Sequence, residues 1–357
     1  MRLRLWPFVL IALAACSPKP AKLRILAWSD YLPDTVLREH EIESGFPIEV
    51  DIFNSNEELA ERLQQSIEKG SEPRSGLRSE PWDLIMPSHY VVTDFAQRGW
   101  IKTLDEKRLG FLESFDPRFR NPTYDPGSKH SIAYVSGMTG LAINIKRRPE
   151  LAARDVSWKE IFDNPKYKGE IFLLDDPLEV LSVGLALSGK SMANADEAAV
   201  REAFAVLGEK RAYIAYFMPN MSNLMRSGTC SLCQAYSGEA VAVATESPQL
   251  LRFAVPSSGG ASLWTDTFAI PSNARNEDGA YAFLNRLMKP ASAGEILNFN
   301  YQQLPHAASK LRVDARWLQD VRIFPDAATL GRLQDLRLKT ELQTLAHELL
   351  DKLKAQR

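Results

Sequence analysis

Five short stretches of the chain supply aromatic rings, carboxylates or both. The first is Trp28, Ser29, Asp30 and Tyr31; the second is Ser88, His89 and Tyr90. Asp175, Asp176 and Glu179 follow, then Tyr236, Ser237 and Glu239, and finally Trp264 with Asp266. Almost no Lys or Arg stands beside them. An anion site would show Arg, or Gly-rich turns at helix starts. Carboxylates and π-faces suit an organic cation instead: ammonium groups need acceptor oxygens, and aromatic faces attract cations and cover methylenes. Each residue alone has a plainer explanation, since a strand-end Asp is often a helix N-cap and a Trp beside a strand is usually core. The argument rests on the repetition of the pairing.

Groups so placed need elements that hold them at one edge. Short apolar runs at Leu23–Trp28, Ile48–Phe53, 82–87, 140–145, Ile171–Leu174, 240–245 and 268–270 read as strands. Between them, amphipathic stretches predict helices from Pro33 to about Gly45 and over 57–69, 197–207, 278–288, 290–298 and 338–353. Alternating strands and helices imply mainly parallel sheets covered by helices. Open sheets of that kind bind ligands beyond the carboxyl ends of their strands. The aromatic–acid clusters follow strand ends, where a ligand would sit. Residues 70–81, rich in Gly, Ser, Pro and Arg, read as an exposed loop.

The chain has 357 residues, with 45% apolar and 25% charged content and a net charge of −2, which favours two globular domains. That charge argues against nucleic-acid binding. Arg2 and Arg4 precede a short apolar run that ends in Leu13-Ala14-Ala15-Cys16-Ser17. This resembles a bacterial lipobox, in which the Cys is lipidated and becomes the first mature residue. Residues 1–15 are then a signal peptide and 16–22 a lipidated tether. Removing the leader leaves 41 basic and 45 acidic residues.

Other motifs carry less. Cys230 and Cys233 have C-x-x-C spacing within an apparent strand rather than at a helix start, so buried thiols or a bridge at a distorted strand end are expected instead of redox chemistry. Gly184-Leu185-Ala186-Leu187-Ser188-Gly189-Lys190-Ser191 has P-loop spacing, but 180–187 reads as a helix stopped by Gly189. The five histidines form no zinc-like cluster, and no metal or other cofactor is expected. No G-x-S-x-G segment is present. Asp176 and Glu179, within one helical turn, lack the flanking geometry of a glycosidase pair.

In order along the chain, several segments resemble the bacterial polyamine-binding proteins of ABC transporters. They are Trp28-Ser29-Asp30-Tyr31, Phe53-Asn54-Ser55-Asn56-Glu57, Trp82-Asp83-Leu84-Ile85-Met86-Pro87-Ser88, Tyr167-Lys168-Gly169, Leu174-Asp175-Asp176-Pro177-Leu178-Glu179-Val180 and Gly260-Ala261-Ser262-Leu263-Trp264-Thr265-Asp266. The resemblance implies an α/β, type II periplasmic-binding-protein fold. Two lobes with hinge crossovers would close around a ligand, with 23–137 plus 266–308 as lobe 1 and 138–265 plus 309–357 as lobe 2. It further implies ligand contacts from Trp28, Ser29, Asp30, Tyr31, Ser88, Tyr90, Asp176, Glu179, Tyr236, Glu239, Trp264, Asp266, Tyr301 and Gln334. Tyr236 replaces the family's usual Trp. Glu239 falls where putrescine binders carry Asp, while Asp176 and Glu179 match the acidic pair of spermidine binders. Five carboxylates exceed the needs of a diamine, which favours a longer ligand or a broad preference.

The expected protein is a monomeric, non-enzymatic solute-binding lipoprotein. It would capture putrescine or spermidine outside the cytoplasm and deliver it to the permease and ATPase of an ABC transporter. The alternatives are a receptor of the same fold for another organic cation, a sensor, or a secreted hydrolase using the acid pair.

Overall fold

The computed structural model describes residues 22–68 and 81–356. The leader, Cys16, the tether through Ala21 and residues 70–80 of the expected loop lie outside the described residues. Ten strands are described: β1 (Leu23–Trp28), β2 (Ile48–Phe53), β3 (Leu84–Ile85), β4 (Ile132–Asn144), β5 (Ile171–Leu174), β6 (Ile214–Met218), β7 (Leu232–Tyr236), β8 (Leu251–Ala254), β9 (Ser262–Phe268) and β10 (Gln334–Asp335).

β1 is apolar, with Leu23, Ile25, Leu26 and Ala27 buried, and it sits centrally, pairing in parallel with β2 and β3 in the order β2-β1-β3. The second sheet runs β10-β9-β4-β7-β5-β6, with β8 also pairing β4. β4 is buried along all 13 residues. Its first half pairs antiparallel with β9 and its second half with β7 and β8. Ile132 to Val135 therefore lie in one apolar core with Leu26, Phe53, Leu84, Phe268 and Phe283. Leu141 and Ile143 lie in another with Trp158, Leu173, Val180, Phe204 and Leu350. The chain thus forms two α/β lobes stitched together by β4 and β9. Antiparallel bridges Ile85–Ala269 and Ser88–Asp266 attach the first sheet to the end of β9.

The predicted helices appear at Asp34–Ser44, Asn56–Glu68, Glu197–Glu209, Glu277–Leu287, Pro290–Asn300 and Thr340–Ala355. Gly45 ends the first with a positive φ of 71°, the left-handed stop that glycine accepts without strain. Pro177–Leu187 is a helix, and Gly189 follows its end at φ 70°. The P-loop-like sequence therefore spans a helix C-terminus and has no phosphate-cradling turn.

Three expectations change. Residues 240–245 are not a strand; they belong to the helix Ser237–Glu246. The strand is β7, which ends at Tyr236. The alternating Ala and Val of 240–245 read like strand, but Ala favours helix, and the four residues Ala240, Val241, Val243 and Ala244 are buried in the helix, Val241 in the first core and Ala240 and Val243 in an apolar cluster with Met138, Phe172 and Leu174. The strand expected at 268–270 begins earlier, as β9. Val313, Trp317 and Ile323 pack into the first core, so the chain beyond 309 does not pass at once into the second lobe. Leu336 is in the second core. Cys230 precedes β7, and its sulfur faces that of Cys233, with both residues buried.

Candidate functional site

Asp30 adopts a left-handed φ of 58° and turns the chain out of β1 toward Tyr31. The Tyr31 hydroxyl donates to Asp266 Oδ2 at 2.6 Å. Ser88 stands at the N-cap of the helix His89–Gln97, yet its hydroxyl does not cap that helix. It donates to Asp266 Oδ1 at 2.6 Å. Asn56 Nδ2 reaches Ser88 Oγ at 3.1 Å and the Tyr90 hydroxyl at 2.7 Å. The Tyr90 hydroxyl in turn donates to Asp176 Oδ2 at 3.3 Å. A hydrogen-bonded chain therefore runs from the first lobe to the second through Tyr31, Asp266, Ser88, Asn56, Tyr90 and Asp176.

On the second lobe, Asp176 caps the helix Pro177–Leu187. Its Oδ1 accepts the backbone N–H of Leu178 and Glu179 at 2.9 and 3.0 Å. This is the plain N-cap role foreseen for a strand-end Asp, and it leaves Oδ2 facing Tyr90. One turn on, Glu179 is only 2% exposed and accepts the hydroxyls of Thr139 and Ser262. Tyr236, packed against cores of both lobes, stands edge-on to Trp264 with ring centroids 5.8 Å apart. Glu239 accepts the backbone N–H of Met221 at 3.0 Å.

Four carboxyls here are held above their usual range. Burial is the main cause for each. For Asp176 the negative charge of Glu57 adds to it, and for Glu179 that of Asp176. Glu239 is pushed up to about 7 by burial, with Asp30 adding to the push while Met221 N–H and Arg226 oppose it. Asp266 is raised by burial against the hydrogen bonds of Ser88 and Tyr31 and the nearby His89. Burial, reinforced by these acids, also lifts the Tyr31, Tyr90 and Tyr236 hydroxyls well above their ordinary value. They stay protonated and keep an oxygen that can accept from an ammonium. Among the described residues no Lys or Arg forms an ion pair with Asp176, Glu179 or Asp266.

The structure thus joins Tyr31, Ser88, Tyr90, Asp176, Glu179, Tyr236, Trp264 and Asp266 at the seam between lobes, with Glu239 and Asp30 in electrostatic reach of each other beside it. Trp28 is half-buried, with its ring 4.2 Å from Phe53 and 6.5 Å from Tyr31, as part of a wall. Ser29 is exposed and bonds to Asp30. Two residues are not gathered in. Tyr301 packs edge-on against Trp317 at 5.2 Å. The Gln334 carboxamide oxygen accepts the backbone N–H of Met192 at 2.8 Å, a bond within the second lobe. Sequence reasoning missed Asn56, Glu57, Thr139 and Ser262. Asn56 and Glu57 lie in a quoted motif but read as the start of a helix, Ser262 lies in another but reads as part of the run into Trp264, and Thr139 carries no sequence signal. His89 accepts Thr265 N–H through Nδ1 and meets Asp335 through Nε2 at 3.2 Å.

Among the described residues no cluster of His, Cys, Asp and Glu is arranged to hold a metal. With Asp176 committed to capping and Glu179 one turn away, the pair does not flank a scissile bond. The arrangement can bind cationic groups between lobes, with rings to cover the apolar length between them.

The model of the bacterial extracellular solute-binding protein family matches residues 39–315. A spermidine/putrescine-binding periplasmic protein of Haemophilus influenzae is 28% identical over 337 residues, covering 90% of this chain and 89% of its own. A protein of the same description from Salmonella typhimurium is 27% identical, covering 92% and 90%. The solved structure of a spermidine/putrescine ABC transporter protein from Listeria monocytogenes, itself described as putative, superposes with a TM-score of 0.84 at 26% identity, over 94% of this chain and 99% of that one.

Proposed function

Because this chain belongs to the bacterial extracellular solute-binding protein family, a family of binding proteins and not of enzymes, we propose that its ligand is a polyamine, putrescine or spermidine. The observation that carries this is the placement at one seam of buried Glu179 and Asp266 and half-buried Asp176, without a Lys or Arg partner among the described residues. Isolated buried charge is costly. A ligand bearing ammonium groups removes that cost while its methylenes lie against Tyr31, Tyr90, Tyr236 and Trp264. The names of the relatives support the same class.

Binding involves no covalent chemistry. Ammonium groups that touch acids from both lobes stabilise the closed arrangement over the open one. The loaded protein then delivers its ligand to the permease and ATPase of an ABC transporter. We assign residues 23–137 and 266–308, with the packed stretch around Val313 to Ile323, to the first lobe and the rest of the folded chain to the second. The protein works as a monomer held to a membrane through lipid on Cys16. Replacing Cys16 with Ala should move it from the membrane fraction to the soluble fraction.

Calorimetric titration of residues 17–357 with putrescine, cadaverine, spermidine and spermine tests the reading. One-to-one binding at micromolar Kd or tighter, about −8 kcal/mol or below, is the expected result. Absence of heat and of any thermal shift with all four would assign the fold to another cation or to a sensor.

A further inference from the structure

Gln302 is the residue after Tyr301, and it is 7% exposed. Tyr301 ends the helix Pro290–Asn300 in the left-handed conformation, φ 57°. The chain then runs beside the crossover strand β4, where Ser136 and Gln303 exchange backbone hydrogen bonds at 2.8 and 3.0 Å. Tyr301 packs against Trp317, while the next side chain reaches the seam. The Gln302 carboxamide hydrogen-bonds the Tyr31 hydroxyl, the same hydroxyl that donates to Asp266. It also lies over Gly238, where a Cβ would meet Gln302 Cγ at 3.1 Å and Nε2 at 3.4 Å. Gly238 lies in the first turn of the helix that carries Glu239. Gln302 thus sits between the Tyr31–Asp266 pair and the Glu239 helix.

The Tyr31 hydroxyl keeps its proton and donates it in a hydrogen bond to Asp266, so toward Gln302 it accepts from the amide NH2. That orientation fixes the carboxamide and leaves its oxygen as the free end. Gln302 Oε1 is buried and has no hydrogen-bond partner. A buried amide oxygen without a partner carries a desolvation cost. A polyamine offers only donors, which is what such an oxygen lacks.

We infer that Gln302 is a ligand-binding residue whose side-chain oxygen accepts an ammonium group between Asp266 and Glu239. The inference rests on the polyamine reading above. A neutral acceptor here lets the site bind a further nitrogen without adding another buried negative charge to a seam that already holds four raised carboxyls.

Gln302→Met keeps the length and removes the acceptor. Titration of wild type and variant with putrescine and spermidine should show a Kd weaker by about tenfold or more for at least one of them, in line with a lost charged hydrogen bond. A loss below about fivefold for both, with wild type binding, overturns the inference alone. Wild type that binds neither polyamine overturns the functional reading and this inference with it. In case the variant does not fold, the side-chain 15N resonance of Gln302 in wild type gives a second reading. It should shift on ligand addition as Oε1 becomes engaged, and an unmoved resonance in the saturated protein overturns the contact. A role confined to supporting Tyr31 would leave the Gln302–Tyr31 bond, and so that resonance, as it was.

Discussion

Asp83 and Asp266 are buried carboxylates associated with the same lobe, 2% and 4% exposed, and they are satisfied in different ways. Asp83 accepts three backbone N–H groups, from Arg24 at 3.0 Å, Arg275 at 3.0 Å and Asn276 at 2.7 Å. Asp125 also accepts backbone N–H groups, from His130 and Ser131, together with the Ser131 hydroxyl. Backbone dipoles are fixed by the fold, so these carboxylates are committed to holding loops. Asp266 instead takes two hydroxyls, from Ser88 and Tyr31. Glu179 likewise takes those of Thr139 and Ser262. Hydroxyl hydrogens rotate, and a hydroxyl oxygen also accepts. A carboxylate held in this way can turn its charge to an arriving cation without breaking the backbone. For Asp83 and Asp266 the type of donor differs more than the depth of burial, and Asp176 combines the two kinds, with Oδ1 held by backbone N–H groups and Oδ2 facing the Tyr90 hydroxyl.

The largest effect should come from the committed acid. Asp83→Ala removes the shared acceptor of three backbone N–H groups and should cost roughly 3 kcal/mol or more of stability. Denaturant titration would read that loss, while the folded fraction should keep wild-type polyamine affinity. Equal loss of affinity would erase the distinction between the two acids. Asp266→Asn should do the reverse. Affinity should fall by about 2 kcal/mol with little change in the melting temperature, and an unchanged Kd would remove Asp266 from the site.

The raised carboxyls sharpen the contrast through pH. A folded-state pKa above the unfolded value means that the native chain holds the extra protons. For Glu239 the associated stability is full below the ordinary Glu range, near 4.3, and is lost as pH rises through about 7. The ligand-free protein should therefore lose stability between pH 5 and 8 as these groups ionise, about in step with their titration. Ligand affinity should rise over the same window, because ammonium groups need ionised acceptors. Calorimetry near pH 6.5 in buffers of different ionisation enthalpy should show proton release on binding. Heat that is the same in every buffer would mean that the acids are already charged before the ligand arrives.

The smallest effect is expected from a ring. Trp264→Leu should weaken all polyamines alike by about 1 kcal/mol, through lost cation–π contact and packing. A change confined to one ligand, read by competition titration, would make Trp264 a selectivity residue.

Much of this molecule is written locally. The strand at Leu23–Trp28, the helix start at Pro177 and the stops at Gly45 and Gly189 follow from side-chain type and backbone preference within a few residues. The aromatic–acid clusters are equally visible, because residues that follow strand ends must gather at one edge of a sheet. Where local rules compete, the sequence misleads. The alternating Ala and Val of 240–245 fit a strand by period, but Ala favours helix, and as helix the stretch buries Ala240, Val241 and Val243 in apolar clusters. Gln334 reads as a ligand contact by resemblance, but only its packing against Met192 shows where its carboxamide is spent. Asn56 and Gln302 give no sign of a site role, since an amide at a helix start or after a helix end has many uses.

The amino-acid sequence by itself determined the α/β elements and the run of acids and rings that follows their strand ends. These depend on periodicity, turn chemistry and the type of charge, all carried by nearby residues. The tertiary structure alone decided which acids are committed to backbone, which are held by hydroxyls, and which amides complete the seam. Many of those roles depend on distant hydrogen-bond partners, such as Tyr31 with Asp266, 235 residues apart, and no local pattern encodes a contact of that range.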